Sequence, residues 1–337
     1  MERSCPGSDE LAKRRFAAGV DVGGTWVRVA IFDRQGTLVE KTKQTVDKSS
    51  QNALANQIIT LLRTLCDRNR IPAQNLQGVG IASTGPLDKK KGELSHPVNL
   101  PFSRVPLTKP IAQELKVPTS LVNDCTGAVM AERRFGAGKG LANLVYITLG
   151  TGIGGGAIVD GNALIGKDGN AVEIGHLTID SAGRLVCGCG MRGHWEAYCS
   201  GKNLPNFIRL RLEEIGPEAV RQSRLLQEVS TGPSAIQADS LYTAARKGDP
   251  LSRQLVEEQG ILNAIGVANV INAYDPALVT VGGSVALKNA SLVLAGIRRH
   301  VKEYALNRVP KITITPLGED IGIYGGATVA LELNPGP

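Results

Sequence analysis

Apolar positions from Phe16 to about Val46 alternate with small or polar ones, broken at Gly23-Gly24 and at Arg34-Gln35-Gly36. A period of two with turn residues at each break predicts three strands of an antiparallel meander. The period then lengthens. Leu54, Ile58, Leu61, Leu62 and Leu65 recur at helical spacing, which predicts a helix of about five turns whose apolar stripe covers the sheet. Val79 to Ala82 and Val117 to Val122 read as short buried strands, the second giving way at Asn123-Asp124 to a helix that runs to Phe135. Near Asn143 the pattern starts again, with apolar runs at Leu144 to Leu149 and Ala157 to Val159. Leu251 to Ala273 reads as a long helix closed by Asp275-Pro276, followed by a strand from Ala277 to Val281 that ends on Gly282-Gly283. A last helix is expected from about Ile323 to Leu333, returning to the first domain.

Both meanders are built around a glycine turn. The first is Val20-Asp21-Val22-Gly23-Gly24-Thr25; the second is Thr148-Leu149-Gly150-Thr151-Gly152-Ile153-Gly154-Gly155-Gly156. Backbone N–H groups in such turns face anions without side-chain obstruction, and Thr25 and Thr151 add hydroxyl donors at equivalent places. The duplication reads as a hinged clamp that approaches one nucleotide from two domains. Gly150, Gly152 and Gly155 also satisfy G-x-G-x-x-G, but a dinucleotide fingerprint runs straight into a helix. Here Ala157-Ile158-Val159 is β-prone and meets another turn at Asp160-Gly161, and no G-x-x-x-x-G-K-[ST] occurs.

A chain of 337 residues is longer than single cores usually grow, so two domains are expected. The boundary is placed near Asn123: residues 1–15 as a flexible extension, 16–123 with about 318–337 as the smaller domain, and 124–317 as the larger. The formal charge of +7 is spread along the chain, and its densest run, Lys89-Lys90-Lys91, reads as a solvated hairpin tip. A nucleic-acid partner is therefore not expected. No apolar stretch is long enough to span a membrane and the first fifteen residues are too charged for a signal peptide, which points to the cytoplasm. The six cysteines lack the spacing of a disulfide framework, so reduced thiols and one metal cluster are expected.

That cluster is His176-x10-Cys187-x-Cys189-x4-His194, with Gly188, Gly190 and Gly193 letting the chain wrap an ion. Four N/S ligands so close in sequence read as a structural zinc site, with Cys199 in reserve as an alternative to His194. Asn123-Asp124, where a strand gives way to a helix, leaves two readings equally open: an N-cap or a catalytic carboxylate. Its place at a helix start would lower the pKa of Asp124. Cys125 beside it reads as a small buried residue.

Taken together, Asp21-x-Gly23-Gly24-Thr25, Asn123-Asp124, the 148–156 turn, Glu173-Ile174-Gly175-His176, Cys187-Gly188-Cys189-Gly190 with Gly193, and Gly282-Gly283 resemble the sugar kinases of the ROK family, glucokinase-like members of the actin-like ATPase superfamily. The likeness runs from Phe16 to Leu333. It implies an α/β, two-domain actin-like ATPase fold of the ribonuclease H-like kind, with mixed sheets and helices packed on them. It implies transfer of phosphate from ATP to a hexose hydroxyl, most simply the 6-hydroxyl of glucose, with N-acetylmannosamine, N-acetylglucosamine, fructose or another hexose as alternative acceptors. A sugar-responsive transcription repressor is the alternative of another class, disfavoured because only fifteen residues precede the first strand.

The resemblance makes Asp124 the catalytic base and Gly85, Asn99, Asn123, Asp124, Glu173, His176 and Glu196 the sugar contacts. Asp21, Gly23, Gly24, Thr25, Thr151, Gly152, Gly282 and Gly283 would serve the nucleotide, with Asp21 holding Mg²⁺ through water. Zn²⁺ would sit on His176, Cys187, Cys189 and His194, fixing the loop that carries His176 and Glu196. Relatives are often dimers, which implies a homodimer or higher homo-oligomer. Two departures stand out: His194 replaces the family's cysteine, and Thr84 precedes Gly85 where relatives carry proline.

Overall fold

The computed structural model describes residues 16–97, 99–216, 223 and 237–333. The extension expected at residues 1–15 lies outside the described residues. Two compact units emerge from the contacts: residues 1–140 with 162–171 and 320–337, and residues 141–161 with 172–319. Where the sequence places a boundary near Asn123, the first unit continues to Gly140. The reason is the helix that follows Asn123, which packs on the last helix of the chain.

In the first unit, β1 (Phe16–Val22), β2 (Trp26–Asp33) and β3 (Leu38–Thr45) form the antiparallel meander. Helix α1 (Ala53–Arg68) and strand β4 (Leu76–Ser83) follow. A small antiparallel sheet comprises β5 (Leu87–Asp88), β6 (Glu93–Ser95) and β7 (Arg104–Pro106), with Lys89 to Lys91 exposed in the turn between the first two. After α2 (Thr108–Leu115) come β8 (Thr119–Asn123) and α3 (Asp124–Arg134). The main sheet runs β3-β2-β1-β4-β8, with β4 parallel to both β1 and β8.

Alternation decides what each face buries. Ala18, Val20 and Val22 of β1 and Val27, Val29 and Ile31 of β2 pack with Leu54, Ile58, Leu61, Leu62 and Leu65 of α1, the stripe read from the sequence. Residues one step out of phase, Ala17, Ala30 and Phe32, pack on α10 (Ile321–Glu332), a helix with no charged residue before its last position. Burying large apolar side chains contributes roughly 1.5–3 kcal/mol each, so both helices are held to the sheet chiefly by this periodicity.

The second unit repeats the plan. Strands β9 (Leu144–Leu149) and β10 (Ile153–Val159) form an antiparallel hairpin; β11 (Asn162–Ala163) follows in sequence. Helices α4 (Trp195–Cys199), α5 (Leu204–Ile215), α6 (Ala238–Arg246) and α7 (Pro250–Tyr274) lead to β12 (Leu278–Gly282). Helices α8 (Ser284–Lys288) and α9 (Ala290–Tyr304) and strand β13 (Lys311–Ile314) complete it. The order β10-β9-β12-β13 places β12 parallel to β9, as β4 is to β1. Helix α7 begins where the sequence predicts: the Asp249 side chain accepts from Ser252 N–H at 2.8 Å, with Pro250 in the first turn. The Trp195 indole N–H donates to Asn263 Oδ1 at 2.9 Å, anchoring α4 to α7.

Candidate active site

Parallel pairing brings the carboxyl ends of β1, β4 and β8 to one edge: Val22 pairs with Ser83, and Ser83 with Asn123. Ligands of open α/β sheets bind outside such strand ends. Asp21, the Thr84-Gly85 loop and Asn123-Asp124 follow directly from this register. Thr84 N–H donates to Val22 O at 3.3 Å, a bond a proline at that position could not make, which ties the loop to β1.

The first glycine turn is closed by Gly23 N–H donating to Trp26 O at 3.0 Å. Gly24 leaves no room for a side chain, because a Cβ there would stand 2.5 Å from Asn99 Nδ2. Two residues singled out from separate motifs thus meet. Asp21 pairs across the hairpin with Arg28, whose Nη1 lies 3.7 Å from Asp21 Oδ2. Burial pushes the Asp21 carboxyl up to about 6, against the pull of Arg28 and with the help of the Asp124 charge.

Asn123, not Asp124, caps α3: its Oδ1 accepts from Cys125 N–H at 2.9 Å and Thr126 N–H at 3.2 Å. Asp124 is the first helical residue, its Oδ1 accepting from Cys125 N–H at 2.8 Å. The capping role is therefore taken by its neighbour. The expected low pKa is also corrected, since burial raises the Asp124 carboxyl despite the Cys125 amide. Cys125 is buried, as its small size suggested.

In the second unit, parallel β9 and β12 bring Thr148 beside Gly282. Gly283, at φ +85°, begins α8 so close to the second glycine turn that a Cβ would lie 2.5 Å from the Leu149 carbonyl. An open cleft of about 380 Å³ beside it is lined by Thr151, Gly201, Lys202, Ser284 and Lys288, among others. Lys202, Ser284 and Lys288 were not singled out from sequence. Ser284 follows Gly282-Gly283 and Lys288 sits one turn later, a spacing that could have flagged them.

Glu173, Ile174 and His176 share one 3₁₀ turn, as the three-residue spacing suggested, with His176 Nε2 3.9 Å from Glu173 Oε2. The other nitrogen points elsewhere: His176 Nδ1 lies 3.3 Å from His194 Nδ1 and 3.7 Å from Cys187 Sγ. Cys189 Sγ is 3.3 Å from His194 Nδ1, and one ligand atom from each of His176, Cys187, Cys189 and His194 lies within 4.8 Å of the others. Cys199 is buried in α4, outside this group. Burial and His176 hold the His194 imidazole below its usual pKa, in the neutral form that ligates metal, while burial pushes the Cys187 thiol up to about 11. A cation would be needed to draw off that proton, and two thiols with two imidazoles suit Zn²⁺.

Glu196 sits between this cluster and the glycine turn. Its Oε2 accepts from Ile153 N–H at 2.8 Å and its Oε1 lies 3.8 Å from Cys187 Sγ. The residue expected as a sugar contact is thus bonded to the backbone of the second turn.

Residues 17–332 match the ROK family. The chain belongs to that family. Among its relatives, the glucokinase of Pyrobaculum calidifontis is 33% identical over 314 residues, covering 93% of this chain and 94% of that protein. A ROK family glucokinase from Streptomyces griseus, solved in complex with glucose and AMPPNP, superposes with a TM-score of 0.76 at 29% identity, over 94% of this chain and 99% of that one. The ROK hexokinase of Thermus thermophilus gives 0.77 at 28% identity, over 95% and 100%. As a ROK protein the chain has the actin-like ATPase fold of these kinases. A hairpin with a parallel strand beside its first strand recurs in both units.

Proposed function

We propose that this protein is an ATP-dependent hexose kinase that transfers the γ-phosphoryl group of ATP to the 6-hydroxyl of glucose. The observation that carries the reading is the shared sheet edge of the first unit, where Asp124 heads α3 and Asp21 is the last residue but one of β1, within a chain 33% identical to a glucokinase.

Asp124 accepts the proton of the sugar hydroxyl as the bond to phosphorus forms. Phosphoryl transfer is mainly positioning and charge stabilisation, so the base only needs to be ionised and held still. The Cys125 amide steadies Oδ1, and Asn123 fixes the helix start from which Asp124 projects. Asn99, Gly85 and Asn123 in the first unit, and Glu173 with His176 Nε2 in the second, are assigned to the sugar. A hexose needs such mixed donors and acceptors because each hydroxyl both gives and takes a hydrogen bond.

The first glycine turn, with Gly23, Gly24 and Thr25, and the second, with Thr151, Gly152, Gly282 and Gly283, are assigned to the nucleotide. Lys202 adds positive charge to the second cleft, where Lys288 is paired with Asp239 at 3.1 Å. Mg²⁺ accompanies ATP and offsets phosphate charge, and Asp21 is assigned to hold its water shell. His176, Cys187, Cys189 and His194 would hold Zn²⁺. Two nitrogens on one imidazole reconcile the two duties of His176: Nδ1 for the metal and Nε2 for the sugar side.

A coupled assay of ADP release across glucose, mannose, fructose, N-acetylglucosamine and N-acetylmannosamine tests the reading. Glucose is expected to give the highest kcat/KM. Preference for another sugar would move the substrate, and no sugar-dependent release would end the kinase reading.

A further inference from the structure

The chain passes between its units at Gly140/Leu141, Gly161/Asn162, Ala171/Val172 and Glu319/Asp320. Left-handed residues stand at or within one position of each crossing: Gly140, Asp160 with Gly161, Val172 and Gly318. Three crossings carry glycine, for which positive φ costs little. The other carries Val172 at φ +65°, and among the described residues it is the only β-branched side chain in that region. A β-branched residue there is a true conformational outlier, and such outliers persist only where surrounding structure over-determines them.

The surroundings of Val172 do this. Its side chain is buried at 7% exposure. Gly155 of β10 leaves the notch that receives it: a Cβ at 155 would stand 2.6 Å from Ile174 Cδ1 and 3.3 Å from Val172 Cγ1. Ile174 N–H then donates back to Val172 O at 2.8 Å, closing a tight turn about Glu173. On the far side, Ala171 N–H donates to Ile165 O at 3.1 Å. The carboxyl of Glu173, held in the middle of this turn, is half-exposed and faces His176 Nε2.

We infer that Val172 is a positioning residue for sugar recognition: its left-handed backbone, wedged by Gly155, aims the Glu173 carboxylate. The inference rests on Glu173 contacting the sugar, as proposed above. It places the function in the backbone of Val172 and makes the side chain its lock, not its instrument.

Three substitutions separate backbone from side chain. Glycine accepts positive φ, so Val172→Gly should keep the KM for glucose within about threefold. Alanine resists it, so Val172→Ala should raise that KM more than Val172→Gly and melt no higher, although alanine is ordinarily the more stabilising of the two. Proline fixes φ near −65°, so Val172→Pro should raise the glucose KM about tenfold or more, the loss of one charged hydrogen bond, with the KM for ATP unchanged. A glycine variant with a higher glucose KM than the alanine variant, or a folded proline variant with unchanged KM, overturns the inference. Glu173→Gln is measured beside them. An unchanged glucose KM there removes the sugar role of Glu173 and the inference with it, whereas a raised KM with insensitive Val172 variants removes the inference alone.

Discussion

Gly322, in the first turn of α10, lies against the carboxyl group of Asp21: a Cβ at 322 would stand 2.5 Å from Asp21 Cγ and 2.7 Å from each oxygen. Real Cβ atoms do not approach so closely, so Gly322→Ala must push the carboxylate off its place beside Arg28. A displacement of about 1 Å at a reacting centre costs on the order of 100-fold. Steady-state kinetics at saturating MgATP should show kcat lowered by about 10- to 100-fold with the glucose KM little changed. An unchanged kcat would detach Asp21 from catalysis.

Burial raises both Asp21 and Asp124, and the proposed mechanism needs both as carboxylates. The kcat/KM profile should therefore fall on the acid side as pH drops through about 6, the value for Asp21. The sign for stability is opposite. A folded-state pKa above the unfolded value near 3.8 favours the protonated native form, a contribution present below 3.8 and lost as pH rises through about 6. Asp21→Asn should thus melt higher than the parent at pH 8, its stability greater by about 3 kcal/mol, and the gain should vanish near pH 4. A variant that melts lower at pH 8 contradicts a costly burial of this carboxylate.

Asn123 gives the N–H groups of Cys125 and Thr126 their side-chain partner at the start of α3. Asn123→Ala should cost about 1 kcal/mol of stability through the lost cap, and Asn123→Ser should recover most of it. Chemical denaturation measures both. Equal stability of the alanine variant would show that water replaces the cap without cost.

Protein purified without chelator should contain zinc at about one ion per chain by elemental analysis. His194→Ala should lose it and His194→Cys retain it, since either imidazole or thiolate ligates Zn²⁺. Because Glu196 links the cluster to Ile153 of the second turn, stripping the metal should also lower the melting temperature. Metal-free protein with unchanged melting would assign these four residues no ion.

Much of this was legible in residue order. Period-two and helical runs located β1 to β3 and α1, and the long apolar run closed by Asp275-Pro276 located α7, although β1 and β2 turn out to be covered on both faces. The domain boundary was not legible, because the packing of α3 on α10 joins residues about two hundred positions apart. The capping residue stayed open for a related reason: Asn and Asp both cap helices, and only the backbone of Asn123, extended at ψ 142°, decides between neighbours. The raised pKa of Asp124 is equally invisible in sequence, since desolvation depends on what covers a carboxylate. Val172 gave no signal either, as nothing in the order of residues says that φ there is positive.

The account stands most directly on Asp124. Glucose-dependent ADP release, coupled to enzymatic detection of glucose 6-phosphate, should proceed with the parent protein and fall by about 10²- to 10⁴-fold in kcat with Asp124→Asn, the glucose KM being largely kept. Near-normal turnover in that variant would contradict the assignment of Asp124 as the group that receives the sugar's proton.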